Sequence, residues 1–429
     1  MRFDKKKYFY YLTLIVIGTI FFPLLFKNLP PVIRSNYFWF SIWCLSLIVF
    51  YPKYLLSKQL LYLLLYAFLF YISTNTILSI NVWNSYALKI ELYNITVGIL
   101  IFNYFNMSKD YKSYAKIVKW IFIFIFITSI MTLITAYINP LYARDIGGVT
   151  RFEDEAEVAM ILSFENYGCA THSYGILFIC LFPILVYLKN NSTFSVFSNK
   201  QINFLLVLIL IALFCMQIFA LIILAILFFL LSVYFAKGMS MKYLIRNTFF
   251  VIVLLFIPKS VYIDSIKGFG NMFSTESELY LKINDAALGL EYGVSTNDES
   301  SELGSRAQRF PMLYSTFVES PYLGCFYKPN SFAYGYKEEG AHLYWMNKLT
   351  TTGIIGIIFF SLILIMHIRI NLKQIRKDYI IFYILASLSI IAYGFLKVIE
   401  GRPAWVTFFV LIPGINYLYL LKKDKNESK

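Results

Sequence analysis

INFLLVLILIALFCMQIFALIILAILFFLLSVYFA, residues 202–236, holds no charged side chain in 35 positions. As a single α-helix it would rise about 52 Å, against roughly 30 Å of apolar thickness in a bilayer. The stretch therefore has to turn, and the polar Gln217 marks the place. Two spans result, near 202–217 and 219–236, joined as a tight hairpin.

Similar runs recur on both sides. Breaks at charged and at Pro- or Asn-rich positions leave spans near 8–26, 37–51, 59–80, 88–106, 119–138 and 168–188 before this stretch. Others follow near 247–263, 346–368, 379–396 and 403–421. Apolar residues make up 59% of the chain and charged residues 14%, where a soluble domain carries about 25% charged. The first run follows Arg2, Lys5, Lys6 and Lys7 as a signal peptide would, but no small-residue cleavage site comes after it, so it reads as a retained span. The expected fold is all-α: a polytopic transmembrane helical bundle of about 12 spans with a large, partly helical extracytoplasmic loop. Residues 1–263 hold the first nine spans, 264–342 the large loop, 343–421 the last three spans and 422–429 a tail.

Charge sets the orientation. With the amino terminus inside, 23 of the 38 Lys and Arg fall on the cytoplasmic side. Of the 15 outside, 8 lie in or at the edges of the long loop, which the positive-inside rule largely ignores. Acidic residues divide 5 inside to 19 outside. Both termini are therefore expected in the cytoplasm. The net charge of +14 is a topology signal and an attraction to anionic lipid headgroups, not a nucleic-acid footprint. The five cysteines have neither paired nor metal-ligand spacing, so no disulfide framework, zinc site or other metal site is indicated.

Two external segments carry the polar chemistry. The first, 139–167, holds Arg144 and Arg151 beside six acidic residues, and local salt bridging is the plainer reading of both. The second, 264–342, is 79 residues long, and a loop of that size with helices of its own is usually functional. Thr275-Glu276-Ser277-Glu278 fits a capping box before a helix to about Leu290, and Ser305-Arg306-Ala307-Gln308 fits another, opening a helix that Pro321 closes. Arg306 and Arg309 share a face of that second helix. Near a helix start two cations oppose the dipole, unless an arriving phosphate or pyrophosphate reverses the sign. Pairing with Asp298, Glu299 or Glu302 is the plainer alternative. His342, where the loop re-enters the membrane, can exchange protons near neutral pH, or can simply bond a headgroup. His172 begins a span beyond the acidic loop, and His367 ends one among basic residues. Lys397, Glu400 and Arg402 sit between the last two spans, and Lys89 and Glu91 at the outer end of the fourth; either group can pair locally or line a cavity.

Gly304-Ser305-Arg306, an amphipathic stretch, Pro321-Tyr322-Leu323-Gly324, then His342, with Gly353-Ile354-Ile355-Gly356 eleven residues on, form an ordered set. That order resembles the signature region of the O-antigen polymerase and ligase family, the Wzy-like bacterial integral membrane glycosyltransferases. The resemblance covers about fifty residues, and the plan of many spans with a large late loop agrees with it more loosely. It implies transfer of a glycan from undecaprenyl pyrophosphate to a sugar hydroxyl on the outer face of the bacterial inner membrane, with no metal and no cofactor. Arg306, supported by Arg309, would stabilise the leaving pyrophosphate, and His342 would act as general base. The implied partners are an undecaprenyl-pyrophosphate-linked oligosaccharide, membrane lipids, and a chain-length regulator and flippase of the same pathway.

One departure bears on the choice within the family. Its ligases usually carry a Ser-Arg-type motif at the outer turn near Gln217, where this chain reads Phe214-Cys215-Met216-Gln217-Ile218-Phe219. A second phosphate-binding arginine would then come from Arg144, Arg151 or Arg402. This favours a polymerase over a ligase that transfers glycan to lipid A–core. The rival from another class is a lipid-linked oligosaccharide flippase, which predicts charges along the spans and two similar halves; the spans are nearly uncharged and no such repeat is visible.

Overall fold

The computed structural model describes residues 4–75, 86–139, 142, 168–170, 172–191, 196–216, 218–236, 259–272, 275, 278–292, 302–324, 343–399 and 401–422. Among these, all regular structure is helical. The principal helices are α1 (Lys5–Phe21), α2 (Asn36–Phe50), α3 (Lys58–Asn75), α4 (Tyr86–Ser108) and α5 (Tyr111–Ile138). Then come α6 (His172–Asn190), α7 (Asn199–Cys215), α8 (Phe219–Ala236), α9 (Lys259–Gly270) and α10 (Glu278–Tyr292). The series ends with α11 (Glu302–Glu319), α12 (Tyr344–Leu372), α13 (Ile380–Gly394) and the apolar run α14 (Arg402–Lys422).

Local chemistry sets several of these starts. The Asp4 carboxylate accepts from the Lys6 and Lys7 backbone N–H groups at 3.0 and 3.2 Å and opens α1. Ser198 and Gln201 form a reciprocal capping box at the head of α7. The expected turn between α7 and α8 falls at residues 216–218, with Gln217 itself outside the described residues.

Apolar helices make this a membrane protein. Among the described residues three are long enough to cross unaided: α5, α12 and α14, with 28, 29 and 21 residues and mean hydropathies of 2.4, 2.3 and 1.7. Six shorter apolar helices accompany them among the described residues, which therefore show fewer than the 12 spans expected. The 15 residues of α2 rise about 22 Å, less than the roughly 30 Å apolar layer. Most of the expected span 247–263 lies outside the described residues.

Helix directions can be read from paired contacts. Glu91 meets Tyr344 at the starts of α4 and α12, and Phe102 meets His367 near their ends, ring centroids 4.6 Å apart, so these two helices are parallel. Phe182 packs on Phe229, and Gly175 lies against Leu221, making α6 and α8 parallel as well. By contrast α1 and α2 are antiparallel, Tyr8 Oη lying 2.8 Å from Ser46 Oγ. Tyr111 stacks on Tyr417 at 4.3 Å, opposing α5 to α14.

Proline shapes the last helix. Pro413 has no N–H to give, and the preceding residues Thr407–Leu411 take a wider π turn. Buried tyrosines reach the carbonyls there: Tyr114 donates to Val410 at 2.6 Å and Tyr379 to Ile412 at 2.7 Å.

The long loop differs from expectation in register. Helix α9 runs through the expected membrane boundary at 263/264, burying Ile263 while Asp264, Val261 and Phe269 are exposed. Helices α9 and α10 pack as an antiparallel hairpin, with Ile283 against Gly270 and a Lys267–Glu291 ion pair of 2.6 Å. Ile283 and Ile266 join Ile222 and Phe214 in a small apolar cluster, seating the hairpin on the α7–α8 turn. The box expected at 275–278 involves Glu276 and Ser277, which lie outside the described residues, and α10 runs to Tyr292, in keeping with the expected end at about Leu290.

Candidate functional site

Helix α11 starts at Glu302, so Ser305 is inside its first turn and is not its cap. The free backbone N–H groups of a helix are the first four. Arg306, the fifth residue, sits just past them and Arg309 nearly a turn further on; the side chains of both lie outside the described residues. Leu313, Thr316 and Ser320 are buried at a spacing of three and four, while Phe310, Tyr314 and Val318 are exposed on the opposite side.

The C-terminal end of α11 is locked into a break in α12. At Gly353 the backbone leaves helical geometry (φ +65°, ψ −175°), a region open in practice to glycine alone. The N–H groups beyond the break find partners in the Pro321–Gly324 turn: Ile354 donates to Pro321 O at 2.8 Å and Ile355 to Tyr322 O at 3.2 Å. Gly324, also left-handed (φ +78°), comes so close that a Cβ there would lie 2.2 Å from Thr351 O. A Cβ on Gly353 would meet Tyr322 O at the same distance. One turn nearer the start of α12, Thr350 Oγ1 donates to Leu313 O at 3.1 Å. The Pro-x-x-Gly and Gly-x-x-Gly segments of the sequence are thus two halves of one backbone joint.

At the head of α12 lies a buried ion pair. Lys348 is 5% exposed and donates to the Glu91 carboxylate from α4, to which the Tyr344 hydroxyl also donates. Lys348 makes a further bond of 3.2 Å to the Tyr66 hydroxyl of α3, and its ammonium lies 4.9 Å from the centre of the Phe360 ring. Three helices therefore supply one carboxylate, one phenol oxygen and the aromatic faces of Tyr344 and Phe360 to a single cation, the satisfaction that a buried charge needs. Leu343, just before α12, is left-handed (φ +68°), which costs a residue with a side chain about 1–2 kcal/mol. His342 precedes it and lies outside the described residues.

Close by, Arg402 opens α14. Its guanidinium carbon lies 4.6 Å from the Tyr37 ring centre and 5.6 Å from that of Tyr93, two residues along α4 from Glu91. Trp405 of α14 comes within 6.3 Å of the Tyr344 ring and ties the two groups together. Arg144, Arg151 and Glu400 lie outside the described residues, as does the side chain of Lys89. His367, expected among basic residues, is instead fully buried, 3.1 Å from Asn371 Nδ2 and enclosed by Phe102, Phe408 and Phe409. It belongs to the packing of the opposite end of the bundle.

The structure thus brings Arg402 and Glu91 into one region, at the end of the bundle where α11 docks. Sequence reasoning did not single out Lys348, Tyr344, Tyr66, Tyr37 or Tyr93 as site residues. The available signal was a lone lysine, Lys348, near the start of an apolar run, which in a bilayer requires a partner. Chemically, the region holds two cations, Lys348 and Arg402, and tyrosine side chains at one end of the apolar helices. A scan against models of known protein families finds no match to this chain, and a search of curated proteins finds none either.

Proposed function

We propose that this chain is a metal-independent membrane glycosyltransferase that polymerises a bacterial surface polysaccharide, O-antigen or capsule, at the outer face of the inner membrane. Both termini are cytoplasmic, and the bundle end that holds Arg402 and the α11 joint faces outward. The observation that supports this reading is the interlock of Pro321–Gly324 with Gly353: it pins the arginine-bearing helix α11 to the span that His342 leads into.

The reaction joins two lipid-linked glycans. His342 takes the proton of an acceptor sugar hydroxyl, whose oxygen attacks the anomeric carbon of the donor glycan. The new C–O bond forms as the bond to undecaprenyl pyrophosphate breaks, and the pyrophosphate leaves with the electron pair. Arg306, with Arg309 beside it, stabilises that developing charge. A flippase would supply the substrate, and a chain-length regulator would set the end point.

The test is a gel of surface polysaccharide. Cells lacking the gene should show a single repeat unit, and the unmutated gene should restore a ladder. His342→Ala and Arg306→Ala should each reach the membrane and give no ladder, since loss of a general base costs about 10²- to 10⁴-fold in rate and loss of a group that stabilises developing charge about 10²- to 10³-fold. Arg309→Ala should shorten the ladder without removing it. Polysaccharide unchanged by deletion would end the transferase reading, while free polymer accumulating beside an undecorated acceptor would make the chain a ligase.

A further inference from the structure

We infer that Arg402, Tyr37, Tyr93 and Asn36 form an anion site for the phosphate group of a membrane-embedded lipid, distinct from the arginines of α11. If the polymerase reading holds, on which this refinement rests, the site takes the pyrophosphate of the acceptor carrier. A polymerase joins two lipid-linked glycans and so has two anionic headgroups to hold at once.

Four observations carry the inference. Stacking against tyrosine faces uses the π face of a guanidinium and leaves its in-plane N–H donors free for a forked pair of bonds to phosphate. Among the described residues no carboxylate lies within ion-pair distance of Arg402, and nearby Glu91 is already engaged by Lys348 and Tyr344. The Asn36 side chain, 3% exposed, has both its amide oxygen and nitrogen without partners, although its backbone carbonyl accepts from the Tyr93 hydroxyl at 3.3 Å. Finally, Leu45, Ile48 and Val49 are exposed along α2, below Tyr37 on the same helix. That apolar stripe suits the tail of a lipid whose headgroup rests at Arg402, and it gives a soluble anion no advantage.

Native mass spectrometry of the full chain in phosphatidylcholine nanodiscs tests this, with undecaprenyl phosphate or phosphatidylglycerol as the added lipid. The unmutated protein should retain two copies of undecaprenyl phosphate. Arg402→Gln, which keeps the apolar stem against Tyr37, should retain one at an unchanged melting temperature, and Arg402→Lys should bind the second copy about tenfold more weakly for want of the planar fork. Arg306→Ala combined with Arg402→Gln should retain none. Two copies on Arg402→Gln would overturn the inference, as would one copy on both the unmutated protein and that variant. One copy that Arg402→Gln abolishes would keep the site but count against the two-carrier polymerase. Loss of phosphatidylglycerol with undecaprenyl phosphate unaffected would make it an ordinary lipid-headgroup site and overturn its assignment to the carrier.

Discussion

Gly324→Ala is expected to release α11 from α12 and abolish polymer while the protein remains in the membrane. The added Cβ would meet Thr351 O at 2.2 Å, a contact that neither backbone can relieve while the joint is closed. Opening it forfeits two backbone hydrogen bonds at about 1 kcal/mol each and the burial of Leu313, worth about 2 kcal/mol more. Once the turn has gone, α12 is free to close its own helical bonds through residue 353, which glycine makes about 1 kcal/mol less favourable than alanine. Gly353→Ala should therefore also expel the turn, because its Cβ would strike Tyr322 O, yet leave α12 the straighter and more stable helix. Adding Gly353→Ala to Gly324→Ala should recover about 1 kcal/mol of stability and no polymer. Limited proteolysis in proteoliposomes reads the release, as new cleavage within 302–324. Protection and a normal ladder in Gly324→Ala would remove the joint from the account.

Glu91→Ala should be the most destabilising single change in the bundle. It leaves the Lys348 ammonium buried against Tyr66, Tyr344 and Phe360 without a carboxylate, and breaking a buried pair in this way costs about 3–5 kcal/mol. Removing both charges is different. Glu91→Leu with Lys348→Met replaces the pair by apolar groups of similar size, an exchange that is often neutral or stabilising. Thermal unfolding followed with a thiol-reactive dye suits the chain, since Cys169 and Cys180 are buried thiols outside any disulfide. The single variant should melt well below the unmutated protein and the double variant close to it. Equal melting of the single variant and the unmutated protein would mean that the pair contributes nothing to the fold. A stable double variant without polymer would place these charges in the chemistry as well.

The apolar helices were legible in the sequence because composition and length alone separate spans from loops. The turn near Gln217 could be read in that way, while the helices of the long loop were read from helix-start patterns and from Pro321. Register was harder. Ser305 and Gln308 match a capping pattern, but a match of residue types cannot tell a cap from the first turn of a helix that has already begun at Glu302. The amphipathic α9 blurred a membrane boundary that hydropathy placed at 263. Pro321–Gly324 and Gly353–Gly356 were both visible as motifs, but the reason for their spacing is tertiary: each glycine is required by the other's backbone. The Glu91–Lys348 pair was invisible for a similar cause, as no local pattern links residues 257 positions apart. Arg402 was legible as a cation, whereas its tyrosine neighbours come from two helices far away in the chain.

That separation also has a consequence in time. A ribosome adding roughly 5–20 residues per second needs about 13–50 s to go from Glu91 to Lys348. For that interval the carboxylate has been delivered with α4 while its ammonium has not yet been made. Biogenesis of this chain must therefore keep an unfinished bundle waiting, with Glu91 held at the water-facing edge or sheltered by the insertion machinery. A ribosome stalled before Tyr344 would leave a fragment in which Glu91 lacks both Lys348 and Tyr344, and such a mark would let quality control distinguish an abandoned chain from a completed one.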